Sequence, residues 1–170
     1  MIGFGKLILA GFFFLAPTIT VAKEISNIED SVTCLALNMY HEARGQGTAG
    51  LLAVSYVVLN RVKDKRFPNT ICEVIKQGPV KESWKKNGKF YPIRNRCQFS
   101  WYCDGKSDEP KDKKVFQKLL TISQGIVHNI KDSFIDITAG ALFYHAYYVA
   151  PSWAKTKHRT VRVGDHVFYR

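Results

Sequence analysis

Residues 48–63, which read TAGLLAVSYVVLNRVK, restrict the possible folds more than any other segment. In a helical projection, their apolar side chains fall on nearly every side. Such a helix must be surrounded by other segments of the protein, because its apolar surface would otherwise face water. The sequence therefore predicts a central helix with the remaining elements packed around it.

The remaining elements are predicted from periodicity and from end signals. They are helices over residues 26–44, 67–78 and 108–130, an exposed loop over 78–91, a short strand or hairpin over 97–103, and a hairpin over 159–170. Ser26 and Glu29 fit a capping box at the start of the first helix. Gly164 and Asp165 would form the turn of the last hairpin. Mostly helices with a small antiparallel sheet make this an α+β fold.

The N-terminus has the layout of a secretory signal peptide. Lys6 precedes an apolar run from Leu7 to Leu15, and small residues follow up to Ala22. The alternative is an uncleaved membrane anchor, but the run is short for a spanning helix, which needs about 20 residues. We therefore expect residues 1–22 to be removed and residues 23–170 to form one secreted or periplasmic domain.

Export also determines how the four cysteines are interpreted. An even number of cysteines in an oxidising compartment favours two disulfides, and four cysteines allow three pairings, between which the sequence does not choose. A zinc site is the rival, but no C-x-x-C spacing occurs and the histidines show no tight metal spacing. We therefore expect disulfides, and neither a metal ion nor a cofactor. The disulfide candidates are Cys34, Cys72, Cys97 and Cys103.

The formal net charge of +11 favours anionic partners. In an exported protein these would be anionic cell-wall polymers, lipid headgroups or acidic glycans. Nucleic acid is the usual partner of so basic a chain, but the export signal argues against it. The alternative is that the charge only keeps the protein soluble.

The junction between the first two helices, NMYHEARGQGTAG, holds a candidate catalytic residue, Glu42. Helical geometry places Glu42 on the flank of the buried stripe, in the last turn of its helix, whereas His41 points away from the core. Burial and the negative end of the helix dipole would both raise the pKa of this carboxyl, as a proton donor near neutral pH requires. The alternative is a surface glutamate paired with Arg44 or Arg61.

Other catalytic chemistries lack their motifs. HEARG has Gly45 where a zinc protease needs a histidine, and neither a G-x-S-x-G elbow nor a phosphate-binding glycine loop occurs. Glycoside cleavage normally uses two carboxylates, but the sequence offers no clear second catalytic acid. Asp104 precedes a glycine, so turn formation accounts for an aspartate at that position. One route needs a single carboxyl. In that route the substrate's own 6-hydroxyl displaces the leaving group, while the acid gives and then recovers a proton.

Several blocks of sequence, in the same order, resemble one known family. They read YHEARGQGTAGLLAVSYVVLNRV, FPNTICEVI, CQFSWYCDG, GALFYHAYYVAPSWA and VGDHVFYR, and they resemble the spore cortex-lytic (SleB-like) cell wall hydrolases over roughly residues 32–170. The resemblance implies a mostly helical, lysozyme-like fold of the goose or transglycosylase type, with a small antiparallel sheet. It also implies peptidoglycan glycan strands as the substrate. Family members are known as lytic transglycosylases, although older descriptions called them amidases.

The resemblance also implies roles for individual residues. Glu42 matches the first glutamate of the family's EARGE motif, the expected general acid and base, whereas Gln46 replaces the second. This departure indicates that the second position is not the essential acid. The substrate-binding residues that the resemblance implies are Gln98, Ser100 and Trp101 on one wall of the cleft, and Tyr144 and His145 on the other. For His145, a hydrogen-bonded interior histidine is an equal alternative.

The main prediction is therefore a monomeric, exported enzyme that cleaves the MurNAc–GlcNAc β-1,4 bond. Three alternatives stay open at this point. The enzyme could be an N-acetylmuramoyl-L-alanine amidase, or a muramidase that uses water in place of the 6-hydroxyl. The chain could also be a non-catalytic protein that binds the wall through its charge and aromatic residues.

Overall fold

The structure, a computed structural model, describes residues 18–129 and 135–170. Its helices in these ranges are α1 (Thr18–Ala43), α2 (Gly47–Lys63), α3 (Ile71–Ile75) and α4 (Lys113–His128). Its strands are β1 (Val80–Glu82), β2 (Phe90–Pro92), β3 (Phe143–Ala146), β4 (Arg159–Val163) and β5 (His166–Tyr169). Short 3-10 helices span Ser100–Cys103 and Ser152–Thr156. The prediction of an α+β fold is confirmed.

Helix α2 lies at the centre of the molecule, as its apolar sequence predicts. Val54 and Val58 pack into a cluster shared with α1, α3 and α4. Ala53 and Val57 pack into a second cluster with Ala141 and Phe168. The helix therefore joins the helical part of the molecule to its sheet, which explains why it is apolar on nearly every side.

The larger sheet has three antiparallel strands in the order β3-β5-β4. Its central strand, β5, is buried along its whole length, and Phe168 is fully buried. The turn between β4 and β5 contains Gly164, at φ 55°, and Asp165, so the predicted hairpin is confirmed. Strands β1 and β2 form a separate antiparallel pair.

The two disulfides of the structure are Cys34–Cys72 and Cys97–Cys103. The first joins α1 to α3, and the second closes a small loop. The prediction of two disulfides is confirmed, and the pairing that the sequence left open is now given. In the described ranges, no group of three or more histidine, cysteine or acidic side chains is arranged to hold a metal ion.

The helices predicted to start at residues 67 and 108 begin only at Ile71 and Lys113, and three further local predictions were wrong. Residues 97–103 contain a 3-10 helix and not a strand, because the disulfide at their ends holds them in a compact turn. Residues 78–91 are not a plain loop, since they contain most of the β1–β2 hairpin. Helix α1 begins at Thr18, so the capping box proposed at Ser26 does not mark its start.

Several expectations concern residues outside the described ranges. Most of the proposed signal peptide, residues 1–17, lies outside these ranges. So does Ile130, the last residue of the helix predicted over 108–130. Cleavage after Ala22 therefore stays a prediction. Within residues 18–129 and 135–170, no helix combines the length and apolarity that crossing a bilayer requires.

Candidate active site

Glu42 lies in the last turn of α1, on the edge of that helix's buried face. Leu35, Met39 and Ala43 of the same helix are buried in the core, and they fix the helix so that the half-buried Glu42 side chain faces the sheet. There the hydroxyl of Tyr144, on β3, donates a hydrogen bond of 2.9 Å to Glu42 Oε2. The predicted position of the glutamate, beside an apolar wall, is therefore observed.

The surroundings of Glu42 favour its protonated form. Burial raises the pKa of Glu42, and this outweighs the hydrogen bond from Tyr144 and the charges of His41 and Arg61, which lower it. No carboxylate of the described residues is among the groups that shift this pKa. Glu42 can therefore retain a proton at a higher pH than an ordinary glutamate and can donate it to a bound substrate.

Tyr144 is a fixed hydrogen-bond donor. Burial, with the charge of Glu42 beside it, raises the pKa of Tyr144 well above its ordinary value. Its hydroxyl therefore keeps its proton and points that proton at Glu42 Oε2. The other carboxyl oxygen, Oε1, is then the atom that can carry a proton toward a ligand.

The alternative in which Glu42 forms a surface ion pair does not fit this geometry. Among the described residues, Glu42 forms no ion pair with either candidate arginine. Arg44 donates instead to the backbone oxygen of Tyr40 at 3.1 Å, and its guanidinium lies over the Tyr40 ring. Arg61 is buried and donates from Nε to the backbone oxygen of Leu142 at 2.8 Å.

Arg61 lies buried beside the candidate site, whereas the sequence suggested it only as a surface ion-pair partner of Glu42. Its guanidinium lies between the rings of Phe67, Phe99 and Phe143, at 5.2–5.7 Å from their centroids. By binding the Leu142 oxygen just before β3, it fixes the strand that carries Tyr144. Arg61 therefore supports the site in two ways, because it positions Tyr144 through β3 and its charge acts on Glu42.

A second polar network holds the segment that leads into β3. Asp136 accepts hydrogen bonds from the side chains of Asn60 and Thr138 and from the backbone nitrogen of Gly140. Burial would raise the pKa of Asp136, but these hydrogen bonds outweigh burial and lower it. Asp136 is therefore used to anchor a loop to α2, and it is not available as a second catalytic acid.

The 97–103 segment forms one side of the site, but its residues differ in exposure. Gln98 and Ser100 are exposed on either side of Phe99, which is buried. Trp101 is also buried, where its Nε1 donates to Asn38 Oδ1 at 3.1 Å. Gln98 and Ser100 are thus accessible to a ligand, whereas Trp101 mainly joins this segment to α1.

His41 covers the outer side of Trp101. The two rings are stacked, with centroids 4.6 Å apart. His41 Nε2 lies 3.0 Å from the backbone oxygen of Asp108, so this nitrogen carries a hydrogen. His41 therefore stabilises the wall formed by Trp101 and supplies positive charge near Glu42 when protonated.

Tyr144 and His145 lie on opposite faces of β3, because neighbouring residues of a strand alternate. Tyr144 faces Glu42, whereas His145 packs against Tyr169 and Trp153 on the other face. Both ring nitrogens of His145 have partners, at the Tyr169 hydroxyl and the Ala146 backbone oxygen. This geometry supports the alternative of an interior histidine, and substrate binding by His145 stays a prediction.

Gln46 connects the α1–α2 loop to the β4–β5 turn. Its Nε2 donates to Asp165 Oδ2 at 2.8 Å, and its Oε1 accepts from the Asp165 backbone nitrogen at 2.9 Å. Gly164 has φ 55°, which disfavours other residues, and a Cβ atom there would lie only 2.5 Å from the same Oε1 and would displace the Gln46 amide. An amide fits this position because it donates and accepts at once, which a carboxylate cannot do.

Replacing Gln46 with glutamate is expected to lower the free energy of unfolding by about 1 kcal/mol at pH 7, because one hydrogen bond is lost and a carboxylate faces Asp165. The loss should shrink as the pH falls below about 4, where a protonated carboxyl can donate again. Urea unfolding at several pH values measures this. Gln117→Glu adds the same charge at an exposed position of α4 and should change stability little; equal losses in both variants would contradict the prediction.

Comparison with known proteins shows the family to which the chain belongs. Residues 45–169 match the cell wall hydrolase family. Spore cortex-lytic enzymes from Bacillus cereus and Halalkalibacterium halodurans are 27% and 26% identical to the chain over 141 residues. These alignments cover 82% of the chain but only 44% and 34% of the two enzymes, so the chain spans less than half the length of either.

Two solved structures share the fold. The catalytic domain of the Bacillus cereus SleB protein has 24% identity and a TM-score of 0.54, and the similarity covers 83% of this chain and 90% of that one. The catalytic domain of the germination-specific lytic transglycosylase SleB from Bacillus anthracis has 25% identity and a TM-score of 0.55, with 83% and 94% covered. Because the sequence match extends over most of the chain, this protein belongs to the cell wall hydrolase family.

Proposed function

We propose that this chain degrades peptidoglycan as a lytic transglycosylase, cleaving the MurNAc–GlcNAc β-1,4 bond and leaving 1,6-anhydro-muramic acid ends. The observation that carries the proposal is the state of Glu42, a half-buried carboxyl whose pKa is raised and which has no carboxylate among the groups that influence it. Glu42 lies just before the range that matches the family, residues 45–169, so its role rests mainly on its own geometry.

The chemistry needs one carboxyl that acts twice. Glu42 donates its proton from Oε1 to the glycosidic oxygen as the bond to muramic acid C1 breaks. The 6-hydroxyl of the same muramic acid attacks C1 and gives its proton to the Glu42 carboxylate, which restores the starting state. No water is consumed, and the hydrogen bond from Tyr144 to Oε2 holds the carboxyl in one orientation through both steps.

The relatives support this choice among the alternatives. One of the similar structures is described as a lytic transglycosylase, and the family is described as cell wall hydrolases. A wall-degrading enzyme must reach the wall, so we further propose that the chain is exported and acts there as a monomer. The basic charge suits contact with anionic wall polymers.

The two rival enzymes differ from the proposal in their products. An amidase would release free stem peptides, and it commonly uses zinc or a nucleophile. The four cysteines are joined in disulfides, so they do not supply that nucleophile. A muramidase would instead direct water to the same carbon atom and leave reducing muramic ends.

Mass spectrometry of the fragments that the oxidised protein releases from purified sacculi tests the proposal. Fragments that end in 1,6-anhydro-muramic acid would establish the transglycosylase. Reducing muramic ends would show that water is the nucleophile, and free stem peptides would show an amidase. If the oxidised protein bound sacculi and released nothing, the wall-binding alternative would hold.

Replacing Tyr144 with phenylalanine is expected to move the alkaline limb of the pH–activity profile to higher pH. The Tyr144 hydroxyl lowers the pKa of Glu42, so without it the carboxyl keeps its proton to a higher pH. Activity at the optimum should fall by less than about tenfold, which corresponds to one hydrogen bond. Fragment release measured across pH checks this, with Tyr148→Phe, at an exposed tyrosine, as the control. An alkaline limb that stays in place would refute it.

A further inference from the structure

The β1–β2 hairpin and its turn, residues 80–92, here called the basic hairpin, project from the body of the protein. All residues of β1 and β2 are exposed except Pro92, which is half-exposed, and the two strands pair with each other. Three aromatic side chains in it are strongly exposed, with Trp84 at 86%, Phe90 at 62% and Tyr91 at 52%. A cluster of exposed aromatic residues that do not pack in the core indicates a binding surface.

The basic hairpin also concentrates positive charge. Four lysines and one glutamate give it a net charge of +3 out of the +11 of the whole chain. Glu82 accepts a hydrogen bond from the backbone nitrogen of Gly88 and thereby stabilises the turn. Within the described residues, none of the four lysines forms an ion pair. The lysines are Lys81, Lys85, Lys86 and Lys89.

One side of the basic hairpin is concave. A hollow of about 560 Å³ is lined by Trp84 and Tyr91, by three lysines, by Ser83 and Asn87, and by one acidic residue, Glu82, which accepts a hydrogen bond from the Gly88 backbone nitrogen. Aromatic rings stack on the apolar faces of sugars, while ammonium, hydroxyl and amide groups bind carboxylates, phosphates and sugar hydroxyls. The lining therefore has the chemistry of a site for an acidic sugar polymer.

The base of the basic hairpin adjoins the candidate active site. The backbone nitrogen of Gln98 donates to the backbone oxygen of Gln77 at 2.9 Å, where the chain enters and leaves the hairpin. Gln98 directly precedes Phe99, whose ring centroid lies 6.5 Å from that of Tyr144, the hydrogen-bond partner of Glu42. A long polymer that runs along Gln98 and Ser100 can therefore continue onto the hairpin, although no residue that lines the hollow contacts Glu42.

We propose that the basic hairpin is a docking site for anionic wall glycan, which retains the enzyme on its polymer at a place separate from Glu42; this inference rests on the proposed function. A glycan fits better than a lipid surface, because the apolar side chains do not share one face. Strand alternation places Val80 and Phe90 on one side and Tyr91 on the other. The loop between the strands, residues 83–89, contains one aromatic side chain, Trp84, among three lysines and the polar Ser83 and Asn87, so it offers a bilayer a single ring and no continuous apolar tip.

The test compares binding of two charge variants to sacculi, each in a Glu42→Gln background so that the wall is not digested. One variant changes the four hairpin lysines to glutamine, and the matched control changes Lys63, Lys65, Lys114 and Lys118, which are exposed elsewhere. The hairpin variant should bind at least about tenfold more weakly at low salt, because several exposed charge pairs are lost together, and the difference should vanish at high salt. The control should bind nearly as well as the parent. Equal losses in both variants, or no loss in the hairpin variant, would overturn the proposal.

Further binding measurements test the role of the Trp84 ring and identify the polymer that supplies the negative charge. Trp84→Ala should weaken binding several-fold at low and high salt alike, because stacking is not screened. Hairpin-dependent binding should persist on sacculi stripped of phosphate-containing polymers, because the proposed ligand is the peptidoglycan strand itself, and its loss on stripped sacculi would overturn the proposal. Hairpin-dependent binding to phosphatidylglycerol vesicles but not to sacculi would overturn it. If binding depends on the hairpin while the wild-type protein, with Glu42 intact, releases no fragments from sacculi, the docking site stands and the proposed activity fails.

Discussion

Replacing Glu42 with glutamine should lower the rate of fragment release from sacculi by about 10²–10⁴-fold, the range expected for loss of a general acid. Glutamine has nearly the same shape and can still accept the hydrogen bond from Tyr144. It cannot donate a proton to the glycosidic oxygen or recover one from the 6-hydroxyl. Binding to sacculi should therefore be retained while turnover is lost.

The same variant should not be less stable than the wild type. Folding raises the pKa of Glu42, so the folded protein keeps a proton over a pH range in which the unfolded chain has lost it. The wild type therefore loses stability as the pH rises through this range, and glutamine has no such proton to lose. We expect Glu42→Gln to have an equal or higher Tm at pH 7.

Glu29→Gln, an exposed glutamate on the same helix, is the matched control and should leave both activity and Tm unchanged. Thermal unfolding and mass spectrometry of released fragments are measured on both proteins. If Glu42→Gln retained wild-type turnover, Glu42 would not be the acid and the proposed chemistry would fail.

The second large effect concerns stability. Changing Cys34 and Cys72 together to alanine is expected to lower the free energy of unfolding by about 4 kcal/mol, from the entropy of closing a loop of that length. The disulfide joins residues 38 apart in the chain and ties α1, which carries Glu42, to α3. Urea unfolding under oxidising conditions measures the loss.

The other disulfide gives the matched comparison. Cys97 and Cys103 are only 6 residues apart, so their joint replacement by alanine should cost about 2 kcal/mol by the same entropic argument. Addition of a reductant to the wild type should lower its stability by at least as much as the Cys34–Cys72 replacement does. A smaller effect from Cys34–Cys72 than from Cys97–Cys103 would contradict the entropic account.

The helices could be predicted from the sequence because their signal is periodic and local. From Gly50 to Val62 every position of α2 is buried or half-buried, and in α4 the apolar residues Leu119 and Ile126 recur on one face. The basic hairpin has no such signal, since both of its faces are exposed and no alternation of apolar and polar residues marks its strands. The 97–103 segment was misread because its aromatic residues favour a strand, whereas the disulfide that closes it was not assigned from the sequence.

The candidate site was predictable only in part, for a related reason. The position of Glu42 follows from the helix alone, and its rise in pKa follows from burial. Its contact with Tyr144 joins residues 102 apart in the chain, which helical periodicity does not relate. In the sequence, Arg61 is a polar residue near the end of α2. It is buried because the rings of Phe67, Phe99 and Phe143, from three separate segments, pack around its guanidinium.

The order of strands in the larger sheet bears on when, during synthesis, the surroundings of Glu42 can assemble. The strand that separates β3 from β4 is β5, which is synthesised after both of them. Until residues 166–169 emerge, β3 has no partner on which to present Tyr144, and Phe168 is missing from its place against α2. A nascent chain that is still incomplete therefore carries the glutamate without its assembled surroundings. Translation order thus delays assembly of the candidate site until the last strand of the sheet has been made.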